Sequence, residues 1–330
     1  MKKSSIIRKF STILVFAVLA VLFLTTACTK KPLEEKPLEE EDKVGIITMT
    51  SLASEVSIWI TIPLETDANV HINWGDGTEC NMNDASINIE SSDNDQLYLF
   101  FLHNYSSESA HYITITSKKI LHLNCHSNKL TFLDISQNNA LVSLTCYRNQ
   151  LTSLDLRHNN VLKELHCSEN PLTTLDLSNN KALSKLVIGS NELSSLDLSN
   201  NTALTYLGVY GSQLTFLDVS KNSELVRLYC TDTKLINLDV SNNKKLRFLL
   251  LTDNQLTSTA LNALFKTLPN ISSSEPEGRM RITGNPGARG CDYSISASKR
   301  WIQWNFLRPW NEISSSSIEN AELYLNYRKQ

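Results

Sequence analysis

The sequence predicts a mostly β chain with few helices: a solenoid of stacked coils carrying a curved parallel β-sheet, preceded by a small antiparallel β sandwich. Three observations carry that prediction. The motif Leu-x-x-Leu-Asp-(Leu/Ile/Val) recurs every 21 residues, at Leu130, Leu151, Leu172, Leu193, Leu214 and, as Leu-Ile-Asn-Leu-Asp-Val, at Leu235. A second series of the same period, Leu-x-x-Leu-x-(Cys/Ile/Val/Leu), starts at Leu141, Leu162, Leu183, Leu204, Leu225 and Leu246, with Ile120 opening it. Ahead of both lie short runs of alternating polarity separated by polar turn clusters. The 330 residues are 41% hydrophobic and 20% charged, with a net charge of -3. That balance argues against a disordered polyelectrolyte and a polytopic membrane protein, and it lacks the basic excess of a nucleic-acid binder.

Residues 1–27 place Lys2, Lys3, Arg8 and Lys9 before an apolar run from Ile13 to Leu24. This reads as an export signal, because twelve apolar residues fall short of the roughly 17 to 25 that a permanent spanning helix needs. Leu24-Thr-Thr-Ala-Cys28 resembles the lipobox of bacterial lipoproteins. The resemblance implies that Cys28 is lipidated and begins the mature chain, and several acyl chains would hold it on a membrane where one binds only marginally. Without residues 1–27 the chain has 27 Lys and Arg against 34 Asp and Glu, a balance of -7. Residues 28–43 repeat Lys-Pro-Leu-Glu-Glu from Lys31 and Lys36 and form an acidic tether with too little apolar surface for a core. Acidic residues soon after a lipidated Cys resemble the surface-export signals of Bacteroidetes lipoproteins; a spacer with no sorting role is the alternative. The expected location is the outer membrane by lipid anchor, facing either the cell surface or the periplasm.

Residues 44–118 carry the β-sandwich runs Val56–Ile62, Val70–Trp74, Leu97–Leu102 and Tyr112–Thr116. Trp74-Gly-Asp-Gly77 ends one run in a turn, since glycine accepts positive φ and Asp can bond its own backbone. With His103-Asn-Tyr105 and Tyr112-Ile-Thr-Ile-Thr116, this stretch resembles a degenerate PKD-like module, a kind of extracellular spacer domain. Asp76 alone supplies too few oxygens for calcium.

In residues 119–256 each coil is too short to close its own core, so leucine columns must stack on the next coil, each buried Leu contributing roughly 1.5–3 kcal/mol. The pattern resembles the leucine-rich repeat family. Two asparagine columns run through it: Asn128, Asn149, Asn170, Asn191 and Asn254 in one, Asn138, Asn159, Asn180, Asn201, Asn222 and Asn243 in the other. Their amides have donors and acceptors to satisfy turn backbone. Cys125, Cys146, Cys167 and Cys230 share a column with Ile188, Val209 and Leu251, which marks them as small core residues rather than metal ligands or disulfides. Cys80 and Cys291 have no partner indicated by the pattern. The repeated Asp134, Asp155, Asp176, Asp197, Asp218 and Asp239 sit in near-identical surroundings, whereas a catalytic pair needs unlike ones. No phosphate loop, zinc pattern or nucleophile elbow occurs. No enzyme activity, cofactor or metal is expected.

The family resemblance implies that the Cys-containing series forms the concave sheet, with three side chains per coil turned outward. Tyr206, Tyr210, Arg227, Tyr229 and Phe248 then converge on three adjacent coils, and Gly208 would leave a dip between two tyrosines. Tyr and Arg are enriched at interaction hot spots, while tyrosine is also a good strand former. Seven coils at about 4.8 Å give a sheet near 30 Å long, suited to a protein or an extended glycan. The expected function is recognition of a protein, such as an adhesion target, on the concave face; capture of a glycan by Tyr206, Tyr210 and Tyr229 is the alternative. Residues 257–305 resemble the C-terminal cap of Bacteroidetes leucine-rich repeat lipoproteins, with helical spacing over Thr259–Leu268, an extended Met280–Ile282, a turn at Gly284–Gly287 and a short helix before Trp301. Residues 306–330 remain unassigned.

Overall fold

The computed structural model describes residues 44–303 apart from 65–68, 86, 92–94 and 108. The expected signal, Cys28, the tether and the 306–330 tail lie outside the described residues. No described helix is long and apolar enough to cross a membrane.

Seven strands precede the coils: β1 (Gly45–Ser51), β2 (Glu55–Pro63), β3 (His71–Asn73), β4 (Glu79–Asn81), β5 (Ile87–Ser91), β6 (Gln96–Asn104) and β7 (His111–Ser117). The four runs read from the sequence became β2, β3, β6 and β7. Strands β1, β4 and β5 lie outside those runs, although in β1 Thr48 and Thr50 alternate with the buried Ile47 and Met49. The coils contribute β8 (His122–Asn124), β9 (Leu130–Asp134), β10 (Ser143–Thr145), β11 (Glu164–His166), β12 (Lys185–Gly189), β13 (Tyr206–Tyr210), β14 (Arg227–Thr231) and β15 (Phe248–Leu250).

Both sheets run through the junction between these parts. One has the order β4-β3-β7-β1-β9, the other β17-β16-β15-β14-β13-β12-β11-β10-β8-β2-β6-β5, where β16 (Gly278–Arg281) and β17 (Trp301–Gln303) come from the C-terminal cap. The antiparallel register Trp59↔Asn124, Ile60↔Leu123, Thr61↔His122 joins β2 to the first coil. Strand β9 joins β1 through pairs such as Met49↔Leu133. An exposed solenoid end would leave a row of unpaired backbone groups, and this double pairing covers it. From β8 onward the long sheet is parallel, and from β8 to β15 it keeps the 21-residue register, for example Leu144↔Leu165 and Leu165↔Leu186.

The leucines of both series are buried, apart from the partly buried Leu175 and Leu196, and Leu144, Leu162, Leu183, Leu207 and Leu228 have 0% exposure. One apolar cluster runs from the N-terminal strands to the cap. The cysteine column lies within it: Cys125, Cys146, Cys167 and Cys230 are buried free thiols. Burial pushes the Cys125, Cys167 and Cys230 thiols up to about 12 and that of Cys146 well up as well, so they pack as neutral hydrophobes.

Turns are built on the polar columns. Each coil strand is followed by a residue at positive φ, at Ser127, Arg148, Glu169, Ser190, Gly211, Asp232 and Asp253. Such a conformation costs a non-glycine residue roughly 1–2 kcal/mol, and the next residue offsets it. Asn149, for example, donates from Nδ2 to the carbonyls of Cys125 and Cys146, while its Oδ1 accepts from the backbone N–H groups of Asn128 and Leu130. The other Asn column works by half: Asn180 Nδ2 donates to Leu156 and Asn159 carbonyls, and its buried Oδ1 accepts no bond among the described residues. The recurring Asp residues accept backbone N–H groups two residues on, as in Ser178 to Asp176 and Ser220 to Asp218, a turn-holding role.

The cap follows its expected order. Thr257 caps α1 (Ser258–Thr267), which buries Leu261, Leu264 and Phe265, and the helix stops before Pro269. A short α2 (Tyr293–Ala297) precedes β17. Trp301 locks the end: it is 1% exposed and its Nε1 donates to the Pro269 carbonyl at 2.9 Å.

Candidate functional site

The parallel register fixes which side chains share the open face of the long sheet, because residues two apart in a strand point the same way. One outward column runs His122, Ser143, Glu164, Lys185, Tyr206, Arg227, Phe248 and on into Arg279 of the cap. The structure brings the five sequence-nominated residues together, in an arrangement the sequence reading did not anticipate.

Tyr206, Tyr210 and Tyr229 are only 6%, 6% and 8% exposed. With Val187 they form a second apolar cluster, distinct from the leucine core, against which Phe248 and Leu250 pack. Tyr206 meets Tyr229 edge to face at 5.3 Å between ring centroids, and its hydroxyl lies 3.4 Å from that of Tyr210. Cations border the cluster, with Lys185 Nζ 5.9 Å from the Tyr206 ring centroid and the Arg227 guanidinium 5.1 Å over Phe248. Burial raises all three phenols above their ordinary range, so they stay neutral.

The expected dip at Gly208 is filled. A Cβ placed there would stand 2.8 Å from the Tyr210 hydroxyl and 3.0 Å from its ring, so the Tyr210 side chain lies across the glycine. At Gly189 a Cβ would come within 2.7 Å of both the Tyr210 Cβ and its carbonyl oxygen. The two glycines are the seat of Tyr210 rather than a ligand recess. Here β12, β13 and β14 also lengthen to five residues, whereas the neighbouring coil strands β10, β11 and β15 have three.

Toward the N-terminal end the same face is built differently. His126, Tyr147 and His166 stack across three consecutive coils, with centroids 4.5 and 4.4 Å apart and planes within 9° and 21°. All three are half-buried. Desolvation keeps the imidazoles neutral: it lowers His122 and His126, and it lowers His166 to about 4 with help from the charges of Lys185 and His126. Beyond them, Trp59 of β2 lies opposite Asn124 and packs on Phe100 of β6 at 4.4 Å, leaving Trp59 37% exposed. At the other end Arg279 and Arg281 of β16 extend the face past Phe248 and Leu250.

Sequence reading missed Trp59, Phe100, Arg279 and Arg281 because it stopped the face at the repeats. A signal was present for Trp59, which alternates with the buried Ile58 and Ile60. Nothing in the periodicity told that β2 joins the coil sheet.

Other polar clusters are structural. Asp76 accepts the Thr78 backbone N–H and hydroxyl through Oδ1 and meets His103 Nε2 through Oδ2 at 2.8 Å, which holds its carboxyl well below the usual range and closes the Gly75–Gly77 turn. Tyr105 stacks on His111 and donates to the Trp74 carbonyl beside that turn. Among the described residues no group of three or more His, Cys, Asp or Glu is placed to hold a metal ion.

Coils of 21 residues, leucine columns stacked between a parallel sheet and turn-rich outer segments, and asparagines bonding coil to coil define a leucine-rich repeat solenoid. No family model matches the chain, and no curated protein matches it. Solved structures similar to it include the functional domain of InlJ from Listeria monocytogenes, which includes a cysteine ladder (30% identity, 54% of this chain and 42% of that one, TM-score 0.43). A leucine-rich repeat protein of Leptospira interrogans is similar at 25% identity over 55% of this chain and 47% of that one, TM-score 0.47. Internalin C2 of Listeria monocytogenes is similar at 19% identity over 56% of this chain and 81% of that one, TM-score 0.43. The chain spans less than half the length of the first two.

Proposed function

We propose that the chain is a noncatalytic envelope lipoprotein that recognises a protein partner through the open face of its long sheet, as an adhesion protein does. The observation that carries this reading is the continuity of the face. Twelve hydrogen-bonded strands extend about 50 Å and present Trp59, Phe100, Tyr147, Lys185, Arg227 and Phe248 on one side. That scale matches a protein contact area, and Trp, Tyr and Arg are the side chains that anchor such contacts. In this reading Cys28 carries the lipid, residues 28–43 act as the spacer, and the solenoid faces outward from the outer membrane.

Binding of the full chain and of a Trp59→Ala/Tyr147→Ala/Arg227→Ala variant to arrays of extracellular proteins and polysaccharides tests the site. A loss of tenfold or more on the protein array, with thermal unfolding retained, is expected. Binding confined to polysaccharides and lost in the variant would give the glycan reading instead, and binding indifferent to the triple change would remove the face from consideration. Cys28→Ala should release the chain from membranes, and protease treatment of intact cells should cut it if it faces outward.

A further inference from the structure

One column of the open face alternates cation and apolar ring or chain from β12 to β17. It reads Lys185, Tyr206, Arg227, Phe248, Arg279 and Ile302, each paired in register with the next. These members differ in what they already hold. Lys185 Nζ lies 3.9 Å from the Glu164 carboxylate, so its charge is balanced on the sheet, and Tyr206 belongs to the packed tyrosine cluster. Arg227 and Arg279 are half-buried, and neither forms an ion pair with a carboxylate among the described residues, unlike Arg148 and Arg247, which meet Glu169 and Glu275. The turn residues Asp232 and Asp253 come after the far ends of β14 and β15, about 15 Å along the strands from this column. A guanidinium partly withdrawn from water without a counter-charge is well placed to gain from a carboxylate, which fits its planar fork through two parallel hydrogen bonds.

We infer that this column recognises an acidic protein segment laid across β14–β17, whose carboxylates take Arg227 and Arg279 while its apolar side chains lie beside them on Phe248 and Ile302. The two arginines stand two strands apart, about 10 Å, in one line. Arg227 is already held over the Phe248 ring, 5.1 Å from its centroid, so less ordering is left for a partner to impose. Ile302 is 43% exposed in β17 and gives the apolar contact beyond Arg279. Two unbalanced cations on a chain of net charge -3 are too few to hold a nucleic acid or a sulfated polymer by charge alone, but they match discrete carboxylates on a protein. The inference rests on the recognition reading above and names the chemistry of its partner.

The probe is a fluorescein-labelled peptide repeating Glu-Thr-Leu-Thr, which puts Glu and Leu alternately along one edge when extended. Its binding to the full chain is read by fluorescence anisotropy, beside peptides with Gln or Lys in place of Glu and beside heparin. The Glu peptide should bind at least tenfold more tightly than the Gln peptide, a comparison that needs no variant. Arg227→Gln/Arg279→Gln should remove that preference, and Arg157→Gln, on an outer turn where Arg157 pairs with Asp155, should keep it. Arg227→Glu/Arg279→Glu should turn the preference to the Lys peptide, a reversal that loss of packing does not produce. No binding of the Glu peptide, equal binding of the Glu and Gln peptides, or a preference indifferent to the arginines would overturn the inference, and heparin bound more tightly through the same arginines would assign the column to a sulfated glycan instead. On the protein array, binding lost in Trp59→Ala/Tyr147→Ala but kept in Arg227→Gln/Arg279→Gln would leave the recognition reading standing and remove only the acidic partner.

Discussion

The two halves of the open face share one sheet, one repeat and the same outward columns, but they solve the placing of aromatics in opposite ways. At the N-terminal half, His126, Tyr147 and His166 stack plane on plane between coils and stay half-exposed. At the C-terminal half, Tyr206, Tyr210 and Tyr229 interlock across strands and are nearly hidden. The difference traces to small residues. Gly189 and Gly208 remove the Cβ atoms that would block Tyr210, so its ring lies back over Gly208 towards the Tyr206 hydroxyl instead of standing in a ladder. A repeat therefore fixes where side chains start; what their neighbours lack decides how they lie.

The largest expected effect is from Tyr210→Ala, which removes the ring that seats the cluster. By analogy with other buried aromatic truncations it should cost about 3–5 kcal/mol, read as a lowered denaturant midpoint. A cost below about 1 kcal/mol would show the cluster to be surface decoration. Next comes acidification, which acts on the other half. His166 is held to about 4 in the folded chain, against about 6.5 when unfolded, so its stabilising contribution is whole above pH 6.5 and is lost as pH falls toward 4. The loss is up to about 3 kcal/mol by linkage, with the lowered His122 and His126 adding in the same direction. Denaturant midpoints at intervals from pH 7.5 to 4 measure it, and His166→Gln should flatten the curve; an unchanged slope in that variant would clear His166.

Gly189→Ala should destabilise by about 1–3 kcal/mol, because the new Cβ meets Tyr210 backbone as well as side chain. The same change at Gly77, where a Cβ would meet nothing within 4 Å, offers a contrast in which only the positive φ is costly. Tyr147→Ala should have the smallest effect, about 1 kcal/mol per lost stack at most, since its ring is half-exposed. If it proves as costly as Tyr210→Ala in the same unfolding assay, the distinction between the halves fails.

Much of this was legible in the sequence. The 21-residue period gave the coils, the burial of the cysteine column beside Ile188 and Val209, the turn role of the Asp column and the order of the cap. Column membership placed Tyr206, Tyr210, Arg227, Tyr229 and Phe248 together. Their exposure was not legible, because it depends on rotamers and on the glycine seats at Gly208 on the same strand and Gly189 on the adjacent one. Nor was the reach of the face: the β2–β8 pairing is a long-range contact with no sequence signature, and it carried Trp59 and Phe100 onto the sheet. The unequal work of the two Asn columns was equally hidden, since both show the same residue at the same period while only one has backbone N–H groups within reach of Oδ1.

The central claim is that one continuous face has an open half and a closed half. Hydroxyl-radical footprinting of the unmodified full chain tests it most directly, with Tyr112, 69% exposed, as an internal reference. The account predicts that Trp59 and Tyr147 label within a few-fold of their rates in the unfolded chain, while Tyr206, Tyr210 and Tyr229 label at least tenfold more slowly than theirs. Equal protection in the two halves would contradict it.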